Sequence, residues 1–181
     1  HNEMDVIGNR IKNLLSLSYP REKIEIIIGS DGSNDKTVHA ARMFEDKGVK
    51  VLDFPKNRGK ALTYNDLIKL ANNDIIVSTD ADSKFDKNFI EHIIAPFANP
   101  NIGCVVGNLI FRFNKEKEIS SSEKTFHNNW DIKLKEYESN LGILANGTGA
   151  AMAIRKNLFI PLMPVDDMDT RTVIDICLKN Y

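Results

Sequence analysis

The sequence predicts an α/β fold: one domain over residues 1–181, with a Rossmann-type, mostly parallel sheet flanked by helices. Two observations carry the prediction. Short β-branched runs begin at residues 24, 49 and 75, about 25 residues apart with a helix between each pair, which is the rhythm of βαβ units. Polar clusters rich in Gly, Asp and Asn follow all three runs, where an open α/β sheet presents its ligand-binding end.

The elements follow in order. Val6, Ile7, Ile11, Leu14 and Leu15 recur at helical spacing, and Tyr19-Pro20 stops that helix. Ile24–Ile28 is too short for a helix and continuous enough for a buried parallel strand. A Gly/Ser/Asp turn over residues 29–34 leads to a helix over 36–47 capped by Asn34 or Asp35. Val49–Leu52 is a strand, residues 55–59 a loop, and residues 60–71 a helix. Ile75–Ser78 is the third strand, and an acidic turn separates it from a helix over 88–97. The second half changes character: a long strand over Ile102–Phe113, a polar helix over Ser121–Asn140, a strand over Ala150–Ile154 and a terminal helix.

Composition bounds the function. The 24 Lys and Arg against 25 Asp and Glu leave a net charge of −1, which excludes the basic footprint of a nucleic-acid binder. Hydrophobic residues at 42% and charged residues at 27% describe a soluble globular domain. No apolar run reaches the length that spans a bilayer. Cys104 and Cys177 sit in apolar runs and read as reduced core residues, so the expected compartment is the cytoplasm. The chain opens on His1-Asn2-Glu3 without an initiating Met and ends on Tyr181 with no capping signal. That reads as a domain cut from a longer protein, whose other parts would supply any contact with a membrane.

The polar clusters are where chemistry is expected. In Ser30-Asp31-Gly32-Ser33-Asn34-Asp35, Gly32 allows close backbone approach and Asp31 can accept hydrogen bonds from a base or ribose, although the same residues make ordinary turns. Asp80-Ala81-Asp82 places two carboxylates together, which is costly unless a cation such as Mg²⁺ or Mn²⁺ shares them. It also serves as a solvated acidic turn. Asn57-Arg58-Gly59-Lys60 opens a helix with two cations, suited to a diphosphate, but lacks the first glycine and the Ser/Thr of a P-loop. Gly147-Thr148-Gly149 fails the dinucleotide fingerprint because it precedes a strand. His1, His39, His92 and His127 show no metal-ligand spacing. Trp130 with Tyr137 reads as core or helix-face packing, and Asp166, Asp167 and Asp169 as a helix N-terminus or the seat of a general base.

Taken together and in order, Asn2-Glu3, Asp31-Gly32-Ser33-x-Asp35-x-Thr37, Asn57-Arg58-Gly59-Lys60-Ala61 with Asn65, and Asp80-Ala81-Asp82-Ser83 resemble a family 2 glycosyltransferase of the GT-A fold over nearly the whole chain. The resemblance implies that Asn2, Glu3, Asp31, Ser33, Arg58, Lys60, Asp80, Ala81 and Asp82 line a nucleotide-sugar site, with Asp31 at the base and Asp80 at the ribose or sugar. It makes Asp82 the ligand of Mg²⁺ or Mn²⁺. Gly147, Thr148 and Gly149 resemble the acceptor-side turn, and Trp130 with Glu136-Tyr137 a helix of membrane-linked polysaccharide synthases. The catalytic base is the Asp of an acidic pair before the last helix, which falls on Asp169. Met168 stands where the pair needs its first acid, so Asp167, preceded by Asp166, is the alternative. The family's first strand has no counterpart in this sequence.

The implied reaction is inverting transfer of a sugar from a UDP-sugar type donor to a hydroxyl acceptor, a polysaccharide or lipid-linked glycan. The competing readings are a nucleotide-sugar or glycan-binding module without turnover, and a phosphatase of the D-x-D type. The latter is disfavoured by Lys84 and by the position of the motif on a later strand.

Overall fold

The apolar spacing of the N-terminal segment forms helix α1 (Ile7–Leu15), whose Ile7 and Ile11 are buried. The computed structural model describes residues 1–109, 130, 133–135, 137–141, 146–179 and 181. Strands β1 (Ile26–Asp31) and β2 (Val49–Phe54) pair in parallel, in register from Ile26 opposite Val49 to Asp31 opposite Phe54. β1 lies further along the chain than the apolar run predicts, because the ladder to Asp53 and Phe54 draws Ser30 and Asp31 into the strand.

Between them the predicted helix over 36–47 breaks in two: α2 (Thr37–Arg42) and a 3₁₀ turn (Glu45–Lys47). The tightening turns Phe44 onto the core, and Gly48 at φ 76° lets the chain reverse into β2. Helix α3 (Lys60–Leu70) lies against β1, and Gly29 permits the approach. A Cβ there would stand 2.8 Å from Thr63 Cγ2 and 2.9 Å from Leu67 Cδ1.

The second sheet has the order β3 (Ile75–Ser78), β5 (Met152–Arg155), β4 (Cys104–Val106), with β5 antiparallel to both neighbours. Helix α4 (Phe89–Ile94) precedes β4, and α5 (Met168–Cys177) closes the described chain. Ser78 opposite Met152 puts the start of β5 against the end of β3, so β5 must run the other way. Among the described strands, parallel pairing is therefore confined to β1 and β2.

The predicted strand over 102–113 is realised at Cys104–Val106, and residues 110–129 lie outside the described residues. The predicted helix over 121–140 is helical at its described residues from Trp130 onward. Trp130 and Tyr137 are 62% and 68% exposed, so they do not pack into the core.

Two apolar clusters form. Ile7, Ile11, Ile26, Ala41 and Val49 join α1, α2 and the first sheet. Ala61, Ile68, Met152, Ile154, Leu158, Leu162, Met168, Val173 and Ile176 join α3, α5 and the second. Both cysteines are outside any disulfide, and burial, with a smaller push from Cys177, raises Cys104 to about 12, so it stays protonated and inert. Among the described residues, no helix is long and apolar enough to cross a membrane.

Candidate active site

The site begins where β1 ends. The Asp31 carboxylate is 8% exposed and accepts the backbone N–H of Arg58 (2.9 Å) and of Gly59 (2.8 Å), so it holds the loop before α3. Gly32, at φ 67°, is the residue this contact demands: a Cβ would collide with the backbone of Lys56 and Asn57. The N-terminal residues dock onto the same turn. His1 Nδ1 lies 2.8 Å from the Asp31 carbonyl oxygen, and Asn2 N–H donates to Ser33 Oγ at 3.1 Å. Glu3 N–H donates to Thr37 Oγ1 at 2.7 Å. Asn2, Glu3, Asp31 and Ser33 thus come together at the end of β1. Asp35 secures the turn, and the hydrogen bond from Thr37 Oγ1 holds its carboxyl below the ordinary value of 3.8.

The two predicted cations have different surroundings. The Arg58 guanidinium stacks on Phe54, 3.8 Å from its centroid, and pairs with Asp66 at 2.9 Å. Lys60, the first residue of α3, instead reaches across to Asp80, Nζ to Oδ1 3.0 Å.

Asp80 and Asp82 follow β3, and α1 braces their turn from behind. Asn13 accepts the Phe85 N–H (2.8 Å) and donates to the Phe85 carbonyl (2.9 Å), while Arg10 donates to Thr79 Oγ1 and lies over the Phe85 ring. Arg10 is buried, and burial lowers its pKa to about 10 against the opposing pull of Asp80 and Asp82. Sequence reasoning missed Arg10. Its one signal was a cation inside the apolar stripe of Ile7, Ile11 and Leu14, a place a solvated arginine does not occupy.

The third group comes from the far end of the chain. Gly147 N–H donates to the Asp169 carbonyl at 3.0 Å, which lays the Gly147–Gly149 turn on the first turn of α5. A Cβ on Gly149 would stand 2.5 Å from Asp169 Oδ1 and 2.9 Å from Lys60 Nζ, so one glycine, one carboxylate and one ammonium converge. Half-buried Tyr64 feels both Asp80 and Asp169, although desolvation of its inward-turned hydroxyl is the main reason that group is pushed above its usual range. Asp169 Oδ1 is buried and has no hydrogen-bond partner among the described residues.

The neighbouring acids are engaged elsewhere. Asp167 is exposed and accepts Thr170 Oγ1 at 2.7 Å; Asp166 accepts the Met163 N–H at 2.7 Å. Met168 is 3% exposed within the core, which explains why an apolar residue stands there: an acid would be buried unpaired. Asn65 ties this region to α3, donating to the Leu162 carbonyl (2.8 Å) and accepting the Leu162 N–H (2.9 Å).

His1, Glu3, Asp31, Gly59, Lys60, Asp80, Ala81 and Asp82 all line the mouth of one cavity of about 1030 Å³. The model for "Glycosyl transferase family 2" matches residues 1–162. The chain belongs to this glycosyltransferase family. Among curated proteins, the poly-beta-1,6-N-acetyl-D-glucosamine synthases of Staphylococcus epidermidis and Staphylococcus aureus are each 33% identical over 156 residues, 85% of this chain and 35% of theirs. The chain thus spans about a third of the length of the curated relatives it matches.

Among solved structures, the family member resembles the mannosyltransferase PcManGT of Pyrobaculum calidifontis, in complex with GDP-Man and Mn²⁺, with a TM-score of 0.80 at 22% identity. That match covers 100% of this chain and 50% of that one. TarS of S. aureus, in complex with UDP-GlcNAc, gives 0.64 at 15% identity, over 100% of this chain and 51% of that one. These likenesses establish the GT-A glycosyltransferase fold.

The residues of this family member also fit a divalent cation. Among the described residues no three of His, Cys, Asp and Glu cluster, so the protein offers only the Asp80 and Asp82 carboxylates, and the Lys60 ammonium already rests on Asp80 as a cation would. One or two carboxylates completed by substrate phosphates and water is the donor set of Mg²⁺ or Mn²⁺.

Proposed function

We propose that the domain transfers a sugar, with inversion at the anomeric carbon, from a UDP-sugar to a hydroxyl of a growing polysaccharide or lipid-linked glycan. The likeness to poly-N-acetylglucosamine synthases and to a UDP-GlcNAc complex supports the donor and the product class. The observation that carries the reading is the buried Asp169 Oδ1, without a hydrogen-bond partner among the described residues, at Gly149 beside the Lys60 ammonium that pairs with Asp80.

In this reading Asn2, Glu3, Asp31 and Ser33 form the nucleoside end of the site. Lys60 and the loop at Arg58 stand by the diphosphate, and Gly147–Gly149 border the acceptor. Asp82, with Asp80 beside it, would hold Mg²⁺ or Mn²⁺, which offsets the charge that develops on the departing diphosphate. Asp169 takes the proton from the acceptor hydroxyl as its oxygen bonds to the anomeric carbon and the bond from that carbon to the diphosphate breaks. The binding-only reading rested on Met168 and on the first strand missing before His1. With the Met168 side chain in the core, the acid available for chemistry is Asp169.

The test is a pair of variants. Asp169→Asn should lower transfer on the order of 10²–10⁴-fold with UDP binding kept, and Asp167→Asn should change transfer little. Calorimetry with UDP should show tighter binding with Mn²⁺ than in EDTA. The reverse ranking of the two variants moves the base to Asp167, and equal UDP affinity in EDTA removes the metal.

A further inference from the structure

Helix α1 buries an arginine on the face where its apolar stripe asks for another leucine. Arg10 is 3% exposed, on the face it shares with Ile7, Ile11 and Leu14. Its Nε has no hydrogen-bond partner among the described residues. A buried charge adds little net stability, and an apolar side chain of similar volume commonly serves as well or better. The residue is therefore explained by what it holds.

It holds the turn that carries the two carboxylates. β3 ends at Ser78, and Thr79 opens the turn ahead of Asp80-Ala81-Asp82. Arg10 Nη2 donates to Thr79 Oγ1, and Nη1 donates to Asn13 Oδ1 at 2.6 Å. The guanidinium carbon lies 4.1 Å from the Phe85 centroid, and Phe85 stacks on Phe89 at 3.8 Å. Asn13, three residues on and on the same helix face, holds both backbone polar groups of Phe85. The segment from Thr79 to Phe85 is thus gripped at its first and last residues by two side chains that also grip each other.

The grip reaches Asp80 through a hydroxyl. Arginine can only donate, and burial leaves this one charged at neutral pH, since its pKa falls only to about 10. Thr79 Oγ1 must therefore accept from Arg10, which turns its own proton toward the Asp80 carbonyl oxygen at 3.3 Å. The same carbonyl accepts the Ser83 N–H at 3.4 Å, the bond that closes the turn. A line of hydrogen bonds runs from α1 through Thr79 to the backbone from which the carboxylates project.

We propose that Arg10 is a positioning residue for the metal site: working through Thr79, it fixes the Asp80-Ala81-Asp82 turn so that the carboxylates meet a divalent cation in one geometry. Arg10 is itself no ligand. The inference rests on the proposed reading of Asp82 as the metal ligand and adds the group that aims it. Partners that orient a ligand in this way are worth roughly 10–100-fold in metal affinity.

The test uses two substitutions that keep the charge, so that geometry alone changes. Arg10→Lys keeps the cation but cannot offer Thr79 and Asn13 separate nitrogens of one rigid plane. Thr79→Val keeps the shape and removes the hydroxyl. UDP affinity is measured by calorimetry on the intact protein, with Mn²⁺ and in EDTA, and the ratio of the two is the metal-dependent gain. Each variant should lower that gain by roughly tenfold, with affinity in EDTA unchanged, and the double variant should lose no more than the larger single loss. In EDTA the Ser83 amide should exchange faster in both variants, which reports the loosened turn without metal. A gain kept in Arg10→Lys overturns the proposal and leaves Asp82 as a ligand; where Arg10→Lys does not fold, a gain kept in Thr79→Val does the same. Equal loss with Mn²⁺ and in EDTA makes Arg10 a support of the nucleotide site as a whole and overturns it. Losses that multiply in the double variant mean that Arg10 does not act through Thr79, and they overturn it too. A wild-type protein without any gain removes the metal and this inference with it, so the failure of that reading is seen before any variant is compared.

Discussion

A buried oxygen without a donor is a liability that folding alone would remove, and Asp169 Oδ1, which has none among the described residues, lies where Lys60 and Gly149 meet. Gly149 is the residue that leaves room for this carboxylate. In Gly149→Ala the new methyl displaces Asp169 Oδ1 and Lys60 Nζ, both ends of flexible side chains, so folding should lose about 1 kcal/mol or less. If Asp169 is the base, as proposed, transfer should fall on the order of 10²-fold, because a displacement of about 1 Å takes its carboxylate off line to the acceptor. Thermal unfolding and single-turnover transfer measured on the same preparation separate the two effects. Asp35 gives a pH dependence. Its carboxyl is held below 3.8 in the folded chain by the Thr37 hydrogen bond. A depressed acid contributes its full stabilisation above the unfolded value and loses it as pH falls through the folded one. Acidification below about pH 4 should therefore loosen the turn that holds residues 2–4, and Asp35→Asn should flatten that acid limb in amide exchange.

At the scale of elements, the site depends on side chains that clamp one piece of backbone to another. Asn13 grips both polar groups of Phe85, and Asn65 grips both polar groups of Leu162. The second clamp matters for chemistry: α3 carries Lys60, and the chain after Leu162 leads to Asp169. Asn65→Ala leaves the Leu162 N–H and carbonyl without these partners and should cost about 1–3 kcal/mol, read as a lower midpoint in urea. Because it lets α3 and α5 drift, kcat should fall more than KM rises. An unchanged kcat would mean that α5 is positioned by its apolar face alone. Arg10 acts at this scale as well: its charge stands behind the D-x-D turn, where Asp80 and Asp82 oppose the cost of its burial.

For the whole molecule, the two apolar clusters share no buried residue. Ile11, 0% exposed, centres one and Ile176, 1% exposed, the other. Ile11→Ala and Ile176→Ala should each cost about 2–5 kcal/mol. The double variant should equal their sum within about 0.5 kcal/mol, because Ile11 and Ile176 belong to clusters with no buried residue in common among the described residues. Coupling beyond that, measured by chemical denaturation, would mean that the halves already pack as one.

The local pattern of residues determined the βα rhythm, the start of α3 at Lys60, β3 at Ile75–Ser78 and the polar turn that follows Asp31. Each of these depends on apolar periodicity, turn chemistry or an ordered motif within a few tens of residues, and such signals are written along the chain. Tertiary structure alone decided the rest. Asp167 and Asp169 look alike in sequence. Only the docking of α5 against the Gly147–Gly149 turn leaves Asp169 beside Lys60 while Asp167 faces solvent and Thr170. Arg58 and Lys60 look like a pair of cations, and only the position of Phe54 and Asp66 draws one of them away. The antiparallel run of β5 arises from its pairing with strands distant in the chain, which residue pattern does not encode because the partner of each edge lies outside its own neighbourhood.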